Sequence, residues 1–332
     1  MYPQTRSLRA RLASFALPMA MAAATFACSI PAFAAGTYPD HAVEVVVPFP
    51  PGGIVDVVTR MMGKQLSKTL GQPVVVMNKP GAGGSIGAGL VAHSKPDGYT
   101  LLMAFDTHAI NPLLYKLPFD SDKDLAPVSL VGTSALVLAV HPSVPAKDVP
   151  ALVEWSKQHP DDLNYASTGA GSSNQLAAEL FKLTTGAHLR HIPYKGGAPA
   201  ITDLLAGRVQ VMFVSTSSVL QYIRASKLKA LAVTTKAPIP QLPGVPSITD
   251  YYPGFEAGSW VGMLAPAGTP KDIIARLNRE VHAAIASPEM QQFFEKQAIQ
   301  PAPSTPEAFG ELMHRDTQKW AKVIKQAGIK VE

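Results

Sequence analysis

The chain has 332 residues, of which 47% are hydrophobic and 16% are charged, and its formal net charge is +5. No basic run indicates a nucleic-acid partner, and beyond the first 34 residues no apolar stretch reaches the ~20 residues of a membrane-spanning helix. The composition therefore indicates an ordinary globular protein and argues against nucleic-acid-binding and membrane-spanning classes.

The first 34 residues have the layout of an export signal. An apolar stretch at 13–27 is too short to span a bilayer comfortably, and an Ala-x-Ala cleavage sequence follows at 32–34. Cleavage is therefore predicted after Ala34, which gives an exported mature protein. The basic region before the apolar stretch consists of Arg6, Arg9 and Arg11.

The only cysteine, Cys28, lies inside this predicted signal. The mature chain would then have neither a disulfide nor a catalytic thiolate. The residues before Cys28 lack the leucine usual in a lipoprotein box, which argues against lipid attachment. The signal contains three arginines and no acidic residue, so its removal lowers the net charge from +5 to +2. The remaining length, about 298 residues, usually makes two domains.

The mature sequence opens with a predicted strand at 43–47, rich in β-branched residues. The turn PFPPGG (48–53) follows, and apolar residues from Ile54 to Leu66 then recur at helical spacing. The first N–H groups of a helix have no internal partner and carry partial positive charge. A glycine-rich turn that opens a helix can therefore bind an anion, and a tight connection without a ligand is the alternative interpretation.

Three further glycine-rich turns open helices in the same way. They are the turn 78–85 after strand 74–77, the turn 168–173 after strand 163–167, and the turn 195–197 after 191–194. Two other strands end in polar residues: strand 99–105 at Asp106, Thr107 and His108, and strand 209–214 at Ser215. Ligands of open α/β sheets bind at the carboxyl ends of the strands, so these turns and polar residues are candidate ligand contacts.

The order of elements predicts two α/β domains joined by two strands. A long strand or strand pair at 125–141 leaves the first domain, and a strand at 258–265 returns to it. Three helices close the chain, each opened by a capping residue and a proline. Such domains can close like a hinge around a ligand, with two glycine-rich turns contributed by each. The predicted domains are 35–136 together with 262–332, and 137–261.

Four motifs then occur in a characteristic order: PFPPGG at 48–53 followed by Asp56, NKPGAGG at 78–84, PYKGG at 193–197 and APAGTP at 265–270. Together they resemble the Bug family, the periplasmic solute-binding receptors of tripartite tricarboxylate transporters. The resemblance covers essentially the whole mature chain, from about Tyr38. It implies a type II periplasmic-binding-protein fold, with two α/β domains joined by two crossover strands and a ligand cleft between them.

The resemblance also implies the partners and the chemistry. Family members bind di- and tricarboxylates, acidic amino acids or aromatic acids, and deliver them to a membrane permease. We therefore expect a periplasmic monomer that binds a small organic acid, with no cofactor, metal or catalytic residue. The loops that match 49–53 and 81–85 hold one carboxylate in the family, largely through backbone groups and waters, and the turn that matches 167–173 contacts the rest of the ligand.

The candidate ligand-binding residues are Phe49, Gly52, Gly53, Asp56, Ala82, Gly83, Gly84, Ser85, Asp106, Thr107, His108, Ser167, Thr168, Ser172, Ser173 and Ser215. Some have alternative interpretations. Asp56 lies in the first turn of a helix, so it either shapes the site or only favours the helix dipole. A carboxylate that faced an anionic ligand would repel it unless a water or a hydroxyl lay between them. His108 is open to interpretation as a structural histidine, and the serines as helix caps.

The sequence departs from the family at three positions. Relatives often have a histidine near Gln175, and many have aspartates near Gln210 and Val214. An aspartate near the ligand could pair with an ammonium group. Its absence favours a plain carboxylic acid, including one with an aromatic body, over an amino acid.

Two enzyme interpretations fit the sequence less well. Ser85 lies in a G-x-S-x-G sequence at 83–87, but a nucleophilic serine of this type follows its strand at once, whereas seven residues separate Ser85 from Met77. A dinucleotide-binding G-x-G-x-x-G would need glycine where Ile86 stands. A receptor that presents its closed form to a signalling partner is the remaining alternative to transport.

Overall fold

The computed structural model describes residues 38–330. The predicted export signal, its cleavage point after Ala34 and Cys28 lie outside the described residues. Residues from Pro39 onwards form one compact unit. No helix among the described residues is both long enough and apolar enough to cross a membrane.

Helices and strands alternate along the chain, as the sequence predicts. The strands are β1 (Val43–Val47), β2 (Val74–Asn78), β3 (Thr100–Phe105), β4 (Leu125–Val140), β5 (Asn164–Ser167), β6 (Arg190–Pro193), β7 (Val211–Ser215), β8 (Lys229–Val233), β9 (Gly258–Pro266) and β10 (Ile299–Pro301). The helices are α1 (Ile54–Leu70), α2 (Ser85–Ala92), α3 (Thr107–Leu114), α4 (Val149–Gln158), α5 (Ser173–Thr185), α6 (Gly197–Leu205), α7 (Thr216–Arg224), α8 (Lys271–Ala286), α9 (Pro288–Gln297) and α10 (Pro306–Ala327).

The strands form one mixed sheet with the order β2-β1-β3-β9-β4-β7-β5-β6, and β8 and β10 also pair with β4. Strand β1 is parallel to both β2 and β3, and β5 is parallel to both β6 and β7. Strands β4 and β9 run antiparallel to their neighbours between these two parallel sections. We call β2-β1-β3 the first section and β7-β5-β6 the second section.

Strand β4 carries the chain from one section to the other. Its residues from Leu125 to Ala135 pair with β9, whereas those from Leu136 to Val140 pair with β7 and β8. Its side chains alternate between two apolar clusters, with Leu136 and Leu138 in one and Val137 in the other. Both faces are therefore covered, which explains why this stretch reads as a nearly continuous apolar run.

Four elements were not predicted from the sequence, and one of them is the short strand β6. Helix α3 begins directly after β3 and contains Pro112, a residue that argues against a helix interior. Helix α7 begins in the serine-rich stretch after β7, which reads as a loop. Strand β10 has three residues, too few for a recognisable pattern of side chains.

Candidate functional site

The turn between β1 and α1 is held by a buried carboxylate. Asp56 is 3% exposed. It accepts the backbone N–H of Gly52 at 2.9 Å and the side-chain amide of Asn78 at 2.8 Å. The same amide donates to the Phe49 carbonyl at 3.1 Å, and Arg60 contacts both carboxylate oxygens of Asp56, at 2.9 and 3.1 Å. Burial alone would raise the pKa of Asp56, but the donors outweigh it and lower the pKa. Asp56 therefore shapes the turn from the protein side, and the Gly52 N–H is already used.

Helices α1 and α2 begin at the first two predicted turns without a capping side chain, because their N-cap residues are Gly53 and Gly84. Among the other helices, α4, α5, α9 and α10 are capped by Asp148, Ser172, Ser287 and Thr305, whereas α3, α6, α7 and α8 also have no side-chain cap. The first N–H groups of α1 and α2 thus have no side-chain acceptor, which suits them to an anion.

The first two turns touch each other. A Cβ on Gly84 would lie 3.3 Å from Cζ of Phe49 in the first turn. Gly83 has a φ of +63°, and a Cβ there would lie 2.8 Å from the Oδ1 of Asn111, whose amide donates to the Gly83 carbonyl at 2.9 Å. Ala82 also has a positive φ, +46°, which is uncommon for a residue with a side chain. The second turn therefore needs glycine for both its conformation and its close packing.

Two buried polar atoms near these turns have no hydrogen-bond partner among the described residues, the Oγ of Ser85 and the Nε2 of His108. His108 is 8% exposed, and burial lowers the pKa of its imidazole, so the ring is neutral at pH 7. A cavity of about 10 Å³ lies here, lined in part by Gly83, Gly84 and His108. A fully satisfied structural histidine would have a hydrogen-bond partner at Nε2, and His108 has none among the described residues.

Asp106 links the carboxyl end of β3 to the second section. The hydroxyl of Ser173, at the start of α5, donates to Oδ2 of Asp106 at 2.8 Å, whereas Oδ1 has no partner among the described residues. Asp106 is 2% exposed, and burial raises its pKa to about 7. The Ser173 and Ser259 hydroxyls counteract this effect, and the charge of Asp316 adds to it. The carboxyl is therefore poised between its neutral and ionised forms at neutral pH.

The third predicted turn, between β5 and α5, is tied together by its own side chains. Ser172 caps α5 and donates to the Gly169 carbonyl at 2.7 Å. Thr168 donates to Asn174 at 2.8 Å. Ser167 is fully buried, and its hydroxyl lies 2.6 Å from Nε2 of His191. These hydroxyls hold the turn in shape, so a ligand here would meet groups already engaged with the protein.

The fourth predicted turn follows β6. The hydroxyl of Tyr194 donates to Oδ2 of Asp203 in α6 at 2.9 Å, which fixes the turn against that helix. Lys195 is exposed. Helix α6 begins at Gly196 without a capping side chain, as α1 and α2 do.

A cavity of about 20 Å³ is lined by residues from both sections of the sheet. Ile54 follows the first turn, Phe105 precedes Asp106, and Ser215 ends β7. Ser134 of β4 and Ser259 of β9 also line it. The volume holds roughly one water molecule, so a larger ligand requires the surrounding elements to move apart. Of the sixteen candidate residues only Ser215 lines this cavity, so it brings together neighbours of the candidates from the two sections.

Two larger cavities lie away from the predicted residues. One, of about 640 Å³, lies beside α3 and carries Asp120, Asp122 and Asp124, whose charges would repel an organic acid. The other, of about 570 Å³, lies beside α5 and the end of α10 and includes Glu179 and Lys182. None of the sixteen candidate residues lines either of them.

Several residues that hold the site together were not among the candidates. Asn78 stands at the end of β2, a position at the carboxyl edge that could have been recognised from the strand pattern. Asn111 and His191 support turns from elements distant in sequence, and no local signal marks them. Gln175 supports its turn from only four residues beyond Gly171. Whether the sixteen candidates contact a ligand stays a prediction.

The sequence was compared with known families and proteins. The profile of the family described as "Tripartite tricarboxylate transporter family receptor" matches residues 58–329. The protein BugT of Bordetella pertussis is 38% identical over 302 residues, which cover 90% of this chain and 93% of BugT.

Solved structures give the same result. An R. palustris protein solved with adipate superposes with a TM-score of 0.77 at 32% identity and covers 88% of this chain and 99% of its own. MatC from Rhodopseudomonas palustris, with bound malate, gives a TM-score of 0.72 at 31% identity and covers 86% of this chain and 100% of its own.

Proposed function

Because the chain belongs to the tripartite tricarboxylate transporter receptor family, we propose that it captures a small organic acid in the periplasm and delivers it to the membrane permease of such a transporter. The receptor acts as a monomer. It closes around the acid and presents the closed form to the permease. Closure is favoured only to the extent that the acid binds the closed form better than the open one.

One observation carries this proposal: two adjacent helix N-termini lack capping side chains. Helices α1 and α2 begin at Gly53 and Gly84, in turns that are packed against each other through Phe49. A carboxylate placed between them would accept charge-assisted hydrogen bonds from backbone N–H groups and would complement both helix dipoles. This contact needs no cationic side chain.

The two lobes that close are 35–136 with 262–332, and 137–261. The change of partners along β4 supports this division, because pairing passes from β9 to β7 and β8 between Ala135 and Leu136. The Ser173–Asp106 hydrogen bond joins the two lobes at the edge where the glycine-rich turns lie. A hinge at β4 and β9 would open this edge.

The acid is a plain carboxylic acid rather than an amino acid. At the two positions where many relatives have aspartates, Gln210 bonds Asn164 and Gly207, and Val214 is buried in an apolar cluster. Neither supplies a carboxylate for a ligand ammonium group. Related proteins solved with adipate and with malate support the same class of ligand.

The protein binds this acid without covalent chemistry. The serine of the G-x-S-x-G sequence, Ser85, is 6% exposed and has no hydrogen-bond partner among the described residues. No base among residues 38–330 is therefore hydrogen-bonded to its hydroxyl, as a nucleophilic serine requires.

A binding screen tests the proposal. Titration calorimetry with adipate, malate, citrate, terephthalate, aspartate and glutamate should give binding for at least one of the four plain acids. A ligand that prefers the folded state also raises the melting temperature, by a stabilisation of about 2.7 kcal/mol at a hundred times Kd. Binding of an amino acid alone would reject the ligand class, and no binding by any acid would count against capture.

Gly83→Ala tests the location of the site. The added Cβ would lie 2.8 Å from Asn111 and would displace the second turn, so the acid should bind at least tenfold more weakly, about 1.4 kcal/mol. Gly244→Ala is the matched control, because Gly244 also has a positive φ, +80°, but its added Cβ meets nothing within 4 Å. Equal affinities for the two variants would place the acid elsewhere.

A further inference from the structure

We propose that Gln175 and His191 are positioning residues for the ligand-facing turn between β5 and α5, which they hold through a hydrogen-bonded chain with a single arrangement of protons. This inference rests on the proposed function for the role of the turn, but the chain itself exists without a ligand. Neither residue is among the candidate contacts, and both lie behind the turn.

The orientation of the Gln175 side chain is fixed by the backbone. The backbone nitrogen of Gly171 lies 2.7 Å from one of the two terminal atoms of the Gln175 side-chain amide. A backbone N–H can only donate, so the atom that it meets must be Oε1. The Nε2 of Gln175 then points to Nδ1 of His191, at 3.3 Å. Because an amide nitrogen can only donate, Nδ1 must be the acceptor.

The position of the imidazole proton follows. A neutral His191 with an accepting Nδ1 carries its proton on Nε2. This N–H donates to the Oγ of Ser167 at 2.6 Å, and the Ser167 hydroxyl donates onward to the Gly169 carbonyl at 3.2 Å. The chain thus begins at the Gly171 N–H and ends at the Gly169 carbonyl. Both ends of the turn are held by one set of bonds.

The surroundings keep His191 neutral at pH 7. Its ring stacks on Tyr165, with centroids 4.8 Å apart. Burial lowers the pKa of His191, the carboxylate of Glu179 counteracts this effect, and the ammonium of Lys182 adds to it. Glu179 accepts the Tyr165 hydroxyl at 2.6 Å and both of its oxygens lie 2.9 Å from Nζ of Lys182, so these two charges largely cancel at the ring.

Protonation of His191 would break the chain. A proton on Nδ1 would face the amide NH2 of Gln175, which is also a donor. Rotation of the amide by half a turn would relieve this contact, but it would place the NH2 against the Gly171 N–H. Either arrangement leaves one buried donor without an acceptor, so the turn is held only while His191 is neutral.

Nuclear magnetic resonance of the ligand-free protein tests the chain directly. The ¹⁵N shifts of His191 at about pH 7.5 should show the proton on Nε2. In Gln175→Ala, the Gly171 amide should exchange with solvent roughly fivefold faster, as expected for the loss of one hydrogen bond. In Gln175→Glu, a carboxylate accepts from both neighbours, so the pKa of His191 should rise by about one unit or more. His188→Asn, an exposed histidine on the same segment, is the control and should change neither quantity.

A proton on Nδ1 of His191, or an unchanged Gly171 exchange rate in Gln175→Ala, would overturn the proposal. The effect on binding is measured with adipate at about pH 7.5, where His191 is neutral. Gln175→Ala should bind adipate roughly fivefold more weakly than the wild type, whereas His188→Asn should bind it equally well. Equal affinities of Gln175→Ala and the wild type would show that the chain does not reach the ligand and would also overturn it. If adipate does not bind, the proposed function fails for this acid, while the proton position and the Gly171 exchange rate still decide the present proposal.

Discussion

The buried carboxyl of Asp106 predicts an unusual dependence of stability on pH. Its pKa in the folded protein is about 7, against a usual value of 3.8. Between these values the folded protein holds a proton that the unfolded chain has released. The stabilising effect of this proton is complete below about pH 4 and is lost as the pH rises through about 7. Asp106→Asn removes this titration and keeps a similar shape.

The magnitude follows from the shift. One pKa unit corresponds to about 1.36 kcal/mol, so the raised pKa destabilises the ionised form by at most about 4 kcal/mol. Between about pH 5 and about pH 8 the linkage relation gives a loss of roughly 2.5 kcal/mol for the wild type. In Asp106→Asn the amide NH2 would take the position of Oδ1, which has no hydrogen-bond partner among the described residues. An unpaired buried donor costs about 1–3 kcal/mol of stability, and this cost does not depend on pH.

Urea unfolding followed by tryptophan fluorescence measures this effect at several pH values. Asp106→Asn should be less stable than the wild type at about pH 5 and should gain roughly 2.5 kcal/mol relative to it by about pH 8. Asp120→Asn is the control, because Asp120 is exposed and its pKa is lowered, first by the hydrogen bond from Lys123. A difference between Asp106→Asn and the wild type that stays constant with pH would refute a raised pKa at Asp106.

Two further substitutions test the turns and the core. Asp56→Asn removes a buried charge held by Arg60 and should cost about 1–3 kcal/mol of stability at pH 7. The pKa of Asp56 is lowered in the folded protein, so the stability that this carboxylate contributes is present above pH 3.8 and is lost as the pH falls through the folded pKa. Unfolding curves of the variant and the wild type should therefore converge in acid. Gly262→Ala places a Cβ 2.2 Å from Cζ of Phe309 and should cost about 1–3 kcal/mol of stability in the same assay. Gly310→Ala is the control, because Gly310 lies in helix α10 and its added Cβ would lie 3.5 Å from Pro127. This variant should be as stable as the wild type or more stable by up to about 1 kcal/mol. Equal losses at the two glycines would contradict the packing argument.

Local patterns were sufficient to predict the strand ends where the proposed site lies. The β-branched run at Val43–Val47 indicates a strand in a covered sheet, the apolar run of β4 indicates a long strand or strand pair, and the structure has a strand at both places. Glycine-rich turns after β1 and β2 were recognisable because positive φ angles restrict the choice of residue. The two-section α/β fold follows from the order of these elements.

Side-chain partners across the fold could not be predicted in this way. The Ser173–Asp106 hydrogen bond joins residues 67 positions apart, and Ser167 and His191 are 24 positions apart. Such pairs depend on how the two sections meet, and the periodicity of apolar residues along the sequence does not predict this. The same limit applies to Asp56: its position in a first helical turn was informative, but its use by Gly52 and Asn78 was not visible.

The structure as described leaves room for roughly one water molecule in the cavity between the sections, so the proposed organic acid would enter only after they separate. The Ser173–Asp106 bond spans this edge and must then break. The Ser173 hydroxyl donates to the Asp106 carboxyl, and this bond is stronger when the carboxyl is ionised than when it is neutral. Burial has the opposite effect, because an ionised carboxyl is more costly to bury than a neutral one. The cost of burying the charge outweighs the gain from the hydrogen bond, because the pKa of Asp106 is raised and not lowered. The proposed opening would return Asp106 to water and would therefore become easier as the pH rises through about 7.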